Sequence, residues 1–272
     1  MTASGRSCIF CGGTAGSAEH VFPNWINQVF PVGKVGRPQA ELGLLERGGP
    51  QTKKTWMATG VATQTVKEVC HECNTGWMAR VEGVTKPLIQ PMALGAHIML
   101  DLEQQLIVAT WAVKTSMTAE LVHGHDHNWP SHDRLLVMEQ QRPPAHAYVA
   151  ASAIETTIGP CRFVAARGQL FEGEKVIGWH HIYTIQVGTL LLQVLRTDPP
   201  IGQEAAFKYP QRAAQMEVPL FPPTIHGFFW PPPKIIDEAG FTPHTVRKGS
   251  PLDVSSHIEP EWPPQAFPQE AR

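Results

Sequence analysis

A chain of 272 residues, 42% hydrophobic and 17% charged, has room for one large domain or two modest ones and is too apolar for a disordered chain. A formal net charge of −2 excludes a protein that grips polyanions through bulk positive charge, so any nucleic-acid contact must come from a local patch. No apolar run reaches the ~18 residues of a membrane span, and Met1 to Ser7 carry no hydrophobic signal core, so a cytoplasmic location without a membrane partner is expected.

Residues 8–30 are dense in motif-like positions, whereas residues 31–53 are rich in Gly, Pro and polar groups and read as an excursion loop. Over residues 54–69 the β-favouring Thr55, Trp56, Val61, Thr63, Thr65 and Val66 surround Gly60, which predicts a hairpin. A helix is expected from Asn74 or Thr75 to about Thr85, ahead of Lys86 and Pro87, with Trp77, Val81, Val84 and Leu88 buried. A second helix should run from Leu102 to about Val122, with Asp101 as N-cap and Gln104 three residues on. Its apolar stripe is Leu102, Leu106, Ala109, Val113 and Met117, with Trp111, Lys114 and Thr115 off the centre, as in an amphipathic connecting helix.

Beyond residue 144 the pattern turns to strands, at Ala145–Ser152, Cys161–Ala166, His181–Val187 and Thr189–Leu195, with a turn at Gly188. Almost half of the 25 prolines fall after residue 218, so the tail reads as irregular and wrapped over the body. No internal repeat is present. The expectation is an α+β chain with an N-terminal metal module over residues 1–95, followed by a helix and a β-rich region over 96–272.

Four of the five cysteines form two Cys-x-x-Cys pairs, Cys8 with Cys11 and Cys70 with Cys73. Two intervening residues let both sulfurs of a pair reach one ion, and four thiolates suit a structural Zn²⁺. The 58 residues between the pairs are a small obstacle, because loop closure grows only logarithmically with length. Eight residues after Cys11 comes Glu19-His20, a carboxylate that can hold a divalent ion beside an imidazole that can take a proton from water. Zinc would pin the chain before Glu19 against the helix that starts after Cys73, bringing near the amide oxygen of Asn74, a hard ligand suited to Mg²⁺.

Cys-x-x-Cys, then Glu-His-x-x-Pro, then Cys-x-x-Cys-Asn resembles the His-Asn-His (HNH) endonuclease family in its four-cysteine, zinc-bearing form. The similarity covers residues 8–88, and the segments Gly76–Glu82 and Trp111–Thr115 are also similar to bacterial and phage proteins carrying that module. The resemblance implies a treble-clef-like ββα-metal fold. It also implies a nuclease acting on DNA, with RNA as the other candidate substrate. His20 would be the general base, and Glu19 and Asn74 would hold one Mg²⁺ or Mn²⁺. Glu19 stands where that family usually has Asp, Asn74 where it usually has His, and Asn24 and Asn27 are the candidates for its central Asn. The competing expectation is a zinc-stabilised nucleic-acid-binding or adaptor protein without turnover.

Other features have plainer readings. His71 and Glu72 are solvent-facing spacers inside the second knuckle. Glu82 lies on the helical face of Asn74 and either supports the site or is solvated. His123, His125, His127 and His132 could take a metal adventitiously, and Cys161 reads as a small buried hydrophobe. Lys34, Arg37, Lys53, Lys54, Lys67, Arg80 and Lys86 make the N-terminal part modestly basic, and Trp25 and Trp77 read as packing groups.

Overall fold

The computed structural model describes residues 6–30, 39–46, 49–57, 64–123, 129–155, 161–172, 174–198, 217–223, 226–237 and 252–253. For residues 39–46, 49–57, 123, 166–172 and 252–253 it describes the backbone path only. The fold is mixed α+β. Strand β1 (Ser17–His20) is followed by the single turn α1 (Ile26–Val29), by β2 (Gln39–Glu46) and β3 (Gly49–Met57), and by β4 (Thr65–Val69). β1 and β4 pair antiparallel, with Glu19 opposite Val66 and His20 opposite Thr65.

The excursion between them departs from the sequence expectation in two ways. Residues 39–46 and 49–57 form an antiparallel strand pair, in which Ala40 faces Trp56 and Glu41 faces Thr55. Among the described residues there is also no hairpin over 54–69, since β3 pairs with β2 while β4 pairs with β1; residues 58–63, with Gly60 and Val61, lie outside the described residues. Thr55, Trp56, Thr65 and Val66 do lie in strands, but their partners are distant, and propensity says nothing about partners.

Helix α2 (His71–Cys73) passes through a wide turn, Asn74–Met78, into α3 (Ala79–Ala93). Gly76 in that turn leaves helical geometry (φ −91°, ψ −106°). α3 runs through Pro87 and Pro91 instead of stopping near Thr85. A proline inside a helix costs ~3 kcal/mol, and burial of Ile89, Met92 and Ala93 beyond it offsets that cost. The buried stripe is Val81, Thr85, Ile89 and Met92, so Val84, expected inside, is 53% exposed. The last carbonyls of α3 find partners elsewhere in the chain: Thr189 Oγ1 and Trp230 Nε1 donate to Met92 O at 2.9 and 3.0 Å, and Thr189 N donates to Ala93 O at 2.9 Å.

Strand β5 (Ile98–Asp101) leads into α4 (Leu102–Ala119). The expected cap is present. Asp101 Oδ1 accepts from Gln104 N at 2.8 Å, and Gln104 Oε1 accepts from Asp101 N at 3.0 Å. The connecting helix is present but not amphipathic as expected, because every residue from Val108 to Ala119 is buried, including Trp111, Lys114 and Thr115. Leu102, at the head of the predicted stripe, is 39% exposed. A helix packed on all sides is a core helix. Several of its polar groups find partners inside, as where Ser116 Oγ accepts from Trp129 Nε1 at 3.2 Å, whereas Thr115 Oγ1 is buried without a hydrogen-bond partner among the described residues. After a tight turn at Glu120–His123, α5 (Ser131–Gln140) packs near α4.

The large sheet contains β6 (Tyr148–Ile154), β7 (Cys161–Glu172), β8 (Lys175–Val187), β9 (Leu190–Asp198) and β10 (Val218–Phe221). Its order is β10-β6-β9-β8-β7-β2-β3, so the early excursion extends the late sheet, with β2 parallel to β7. The strands anticipated after residue 144 are all there, and β7 and β8 are longer than expected. Alternation divides the sheet's two faces. Phe163, Tyr183, Ile185, Leu192 and Val194 join the core around α4, while Val164, Leu191 and Ile154 form a second cluster with Ile236.

The proline-rich tail is not irregular where it is described. It supplies β10, β11 (Gly227–Trp230) paired with β5, β12 (Ile235–Ile236) beside β6 and β13 (Leu252–Asp253) beside β7. Residues 238–251 and 254–272 lie outside the described residues. Among the described residues no helix is long and apolar enough to cross a membrane.

Gly188 makes the turn between β8 and β9 at φ +56°, and a Cβ there would lie 2.1 Å from Ala93 O. The Gly188→Ala protein should therefore lose upwards of about 2 kcal/mol of stability, read as a lowered midpoint in urea unfolding.

Candidate metal centre and hydrolytic site

The first cysteine pair sits in a tight loop before β1. Gly12, at φ +75°, reverses the chain so that Gly12 N donates to Cys8 O at 2.9 Å and Cys8 N to Gly13 O at 2.6 Å. Ile9 N then donates to Glu68 O at 3.0 Å, and Gly16 N to Val69 O at 3.1 Å, which joins this loop to β4. The second pair opens a helix: Cys70 is the N-cap of α2, and its sulfur accepts from Cys73 N at 3.3 Å. The four sulfurs of Cys8, Cys11, Cys70 and Cys73 all lie within 4.8 Å of one another. In a tetrahedral zinc–thiolate site with bonds of ~2.3 Å the sulfurs stand ~3.8 Å apart. The cluster is therefore positioned to hold a metal ion, and zinc suits its donor set.

Cys8, Cys70 and Cys73 are buried and Cys11 is exposed, so the centre sits at the surface on one side. Burial would raise the Cys8 thiol, but the backbone amides of Cys11, Cys70 and Phe10 outweigh it and hold the thiol below its ordinary value. Burial pushes the Cys70 thiol up to about 11 and raises Cys73 as well, so without a cation the cluster resists full deprotonation. Phe10 meets Trp77 edge to face at 5.0 Å, which makes Trp77 a packing group as expected. The Cys73 thiol also points to Met138 Sδ of α5 at 3.9 Å, a neighbour with no sequence signal. His71 and Glu72 are exposed, as spacers should be.

Beyond the cluster, the chain sets Asn74 against the start of β1. Asn74 Nδ2 donates to Ser17 Oγ at 2.7 Å and to Ala18 O at 3.3 Å. With both donors of the amide committed, its oxygen is the end that remains to accept. Glu19 and His20 follow on the strand, where successive side chains face opposite ways. Glu19 is 4% exposed and His20 is half-buried. Among the described residues, no hydrogen bond or ion pair joins the side chains of Glu19, His20 and Asn74 to one another.

Glu19 instead meets a residue that the sequence reading left aside. Lys114 Nζ lies 2.9 Å from Glu19 Oε1 and 2.6 Å from Glu82 Oε1, and the Lys114 side chain has no exposed surface. Burial works against the ammonium, but the two carboxylates more than reverse this and hold it above its ordinary value. Burial also pushes the Glu19 carboxyl up, because one ammonium shared between two acids compensates it only in part. Glu82, for which one of the two readings is a solvated carboxylate, is thus bonded to the buried Lys114. The legible hint was a lone lysine within the apolar run Ala109 to Met117, since a buried charge needs partners.

The remaining candidates are disposed as follows in the structure. Asn27 Nδ2 donates to Asn24 Oδ1 at 3.0 Å, so the two pair with each other. Lys67 and Arg80 are exposed and Lys86 is half-buried, whereas the side chains of Lys34, Arg37, Lys53 and Lys54 lie outside the described residues. His125 and His127 do as well, and the backbone alone is described for His123. His132 and His146 approach opposite oxygens of buried Asp133, at 3.4 and 3.1 Å. Cys161 is fully buried in the sheet core, and burial raises its thiol. No family model, curated protein or solved structure matches this chain.

Elemental analysis of protein purified without added metal should give about one zinc per chain. Cys73→Ser should lose that zinc together with a cooperative melt. Full zinc content in Cys73→Ser would remove Cys73 from the ligand set.

Proposed function

We propose that this chain is a metal-dependent endonuclease of the His-Asn-His type that hydrolyses phosphodiester bonds in DNA. What supports the reading is the arrangement around the cysteine cluster: a strand carrying Glu19 and His20, paired with a strand that runs straight into Cys70, Cys73 and Asn74. In this reading His20, on the half-buried side of β1, takes the proton of the attacking water. The Glu19 carboxylate and the Asn74 amide oxygen are the hard donors for Mg²⁺ or Mn²⁺. That ion, when bound, supplies positive charge where the phosphate and the leaving oxygen gain negative charge. Zn²⁺ in the cysteine cluster has a structural part only, since four protein thiolates leave it no open position.

A second reading has an observation of its own. Glu19 turns inward to Lys114 while His20 turns the other way, an arrangement equally suited to a zinc-stabilised nucleic-acid-binding or adaptor protein that does no chemistry. Plasmid nicking separates the two. The nuclease reading expects relaxation of supercoiled DNA with Mg²⁺ or Mn²⁺ and a loss of ~10²–10⁴-fold in His20→Ala, with zinc content unchanged. Binding of DNA without cleavage, or equal cleavage by His20→Ala, would establish the second reading instead.

A further inference from the structure

We propose that Lys114 is a positioning residue: through its bond to Glu19 it sets the carboxylate that β1 offers to a divalent ion, and Glu82 keeps that carboxylate from being fully neutralised. The inference rests on the reading of Glu19 as a ligand of such an ion. Lys114 cannot touch a substrate, because it has no exposed surface, so it acts only through its partners. Those partners come from separate elements, Glu19 from β1 and Glu82 from α3, while Lys114 belongs to α4.

Two physical features give the lysine this part. The first is rigidity. An ammonium on a four-carbon stem is ordinarily mobile, but α4 is buried on all sides from Val108 onward, so the stem is packed in place. The bond to Glu19 Oε1 then fixes a side chain with three rotatable bonds and leaves the second carboxylate oxygen to face an ion.

The second is charge. Lys114 with Glu19 alone would be a closed, neutral pair with little pull on a cation. Glu82, 2.6 Å from the same ammonium, makes the cluster one negative charge in excess. A dication reverses that excess to one positive charge, and a phosphodiester anion brings the sum to zero. The cluster thus attracts a dication while empty and an anion once filled.

Manganese alone is the probe, titrated into zinc-loaded full-length protein and followed by the electron paramagnetic resonance of free Mn²⁺. Lys114→Met should weaken Mn²⁺ binding about tenfold to a hundredfold, and Lys114→Arg, which keeps the charge and the donors, should recover most of it. Binding by Lys114→Met that is equal or tighter overturns the proposal, since removing a merely repelling cation would tighten it. Zinc content and the melting profile report whether each variant folds; if Lys114→Met does not fold, the neutral Lys114→Gln is read in the same way. Wild-type protein that binds no Mn²⁺ overturns both the nuclease reading and this inference. Wild type that binds Mn²⁺ and nicks DNA, with Lys114 variants that match it in Mn²⁺ affinity, overturns this inference alone.

Discussion

The N-terminal half of this chain is organised by one closure, that of Cys8 and Cys11 onto Cys70 and Cys73. A two-stranded pair as short as β1 and β4 is marginal by itself in water. Here it is held at one end by the four-sulfur cluster and by Ile9 N and Gly16 N, which reach across to Glu68 O and Val69 O. Once the ends are fixed, the length of chain between them costs little more in entropy. That freedom is put to use: β2 and β3, from within the closed loop, leave the small strand pair and extend the large sheet beside β7. The cysteine cluster and the large sheet are therefore not independent pieces, because a segment enclosed by the first is hydrogen-bonded into the second.

What the sequence made legible was local chemistry. The cysteine spacing, the Asp101–Gln104 capping box and the alternating strands β6 to β9 are patterns whose cause lies within a few residues. What it hid was anything decided by a distant partner. Gln39 to Glu46 alternate poorly, and only their pairing with β3 and β7 makes them a strand. Pro87 reads as a stop until Ile89 and Met92 are seen to be buried beyond it. The candidate site divides in the same way. Glu19, His20 and Asn74 stand out by residue type and by distance from the cysteines, whereas Lys114, 95 positions from Glu19 along the chain, shows only as a charge in a largely apolar helix, with nothing local to name its partners.

The central helix α4 shows why its period misled. A stripe at 3.6 residues describes a helix with one apolar neighbour and a wet back. This helix has neighbours all round: strands β6, β8, β9 and β10 of the sheet, helix α3, and α5. Polar residues along its packed length consequently sit inside the protein and not in water. Glu120, just past the end of α4, accepts from Tyr183 of β8 at 3.1 Å and from Trp129 N at 3.3 Å. Lys114 is the extreme case, a full charge in the middle of the packed length.

Stability is a poor reason for such a charge to be there. Replacing a buried ionic group wholesale by apolar residues of similar volume is often neutral or stabilising, whereas removing one member leaves the others uncompensated and costs about 3–5 kcal/mol. The Lys114 cluster is thus an expensive way to join β1, α3 and α4, which share an apolar core that already includes Val21, Val81 and Val113. What the ions add, and Leu or Met could not, is direction: an ammonium held at a fixed point constrains where a carboxylate oxygen sits. The constraint falls on Glu19, the residue next to His20 and on the strand that Asn74 contacts. Through the Lys114 ammonium, α4, which packs on the large sheet, fixes the position of a carboxylate oxygen on β1 beside the cysteine cluster.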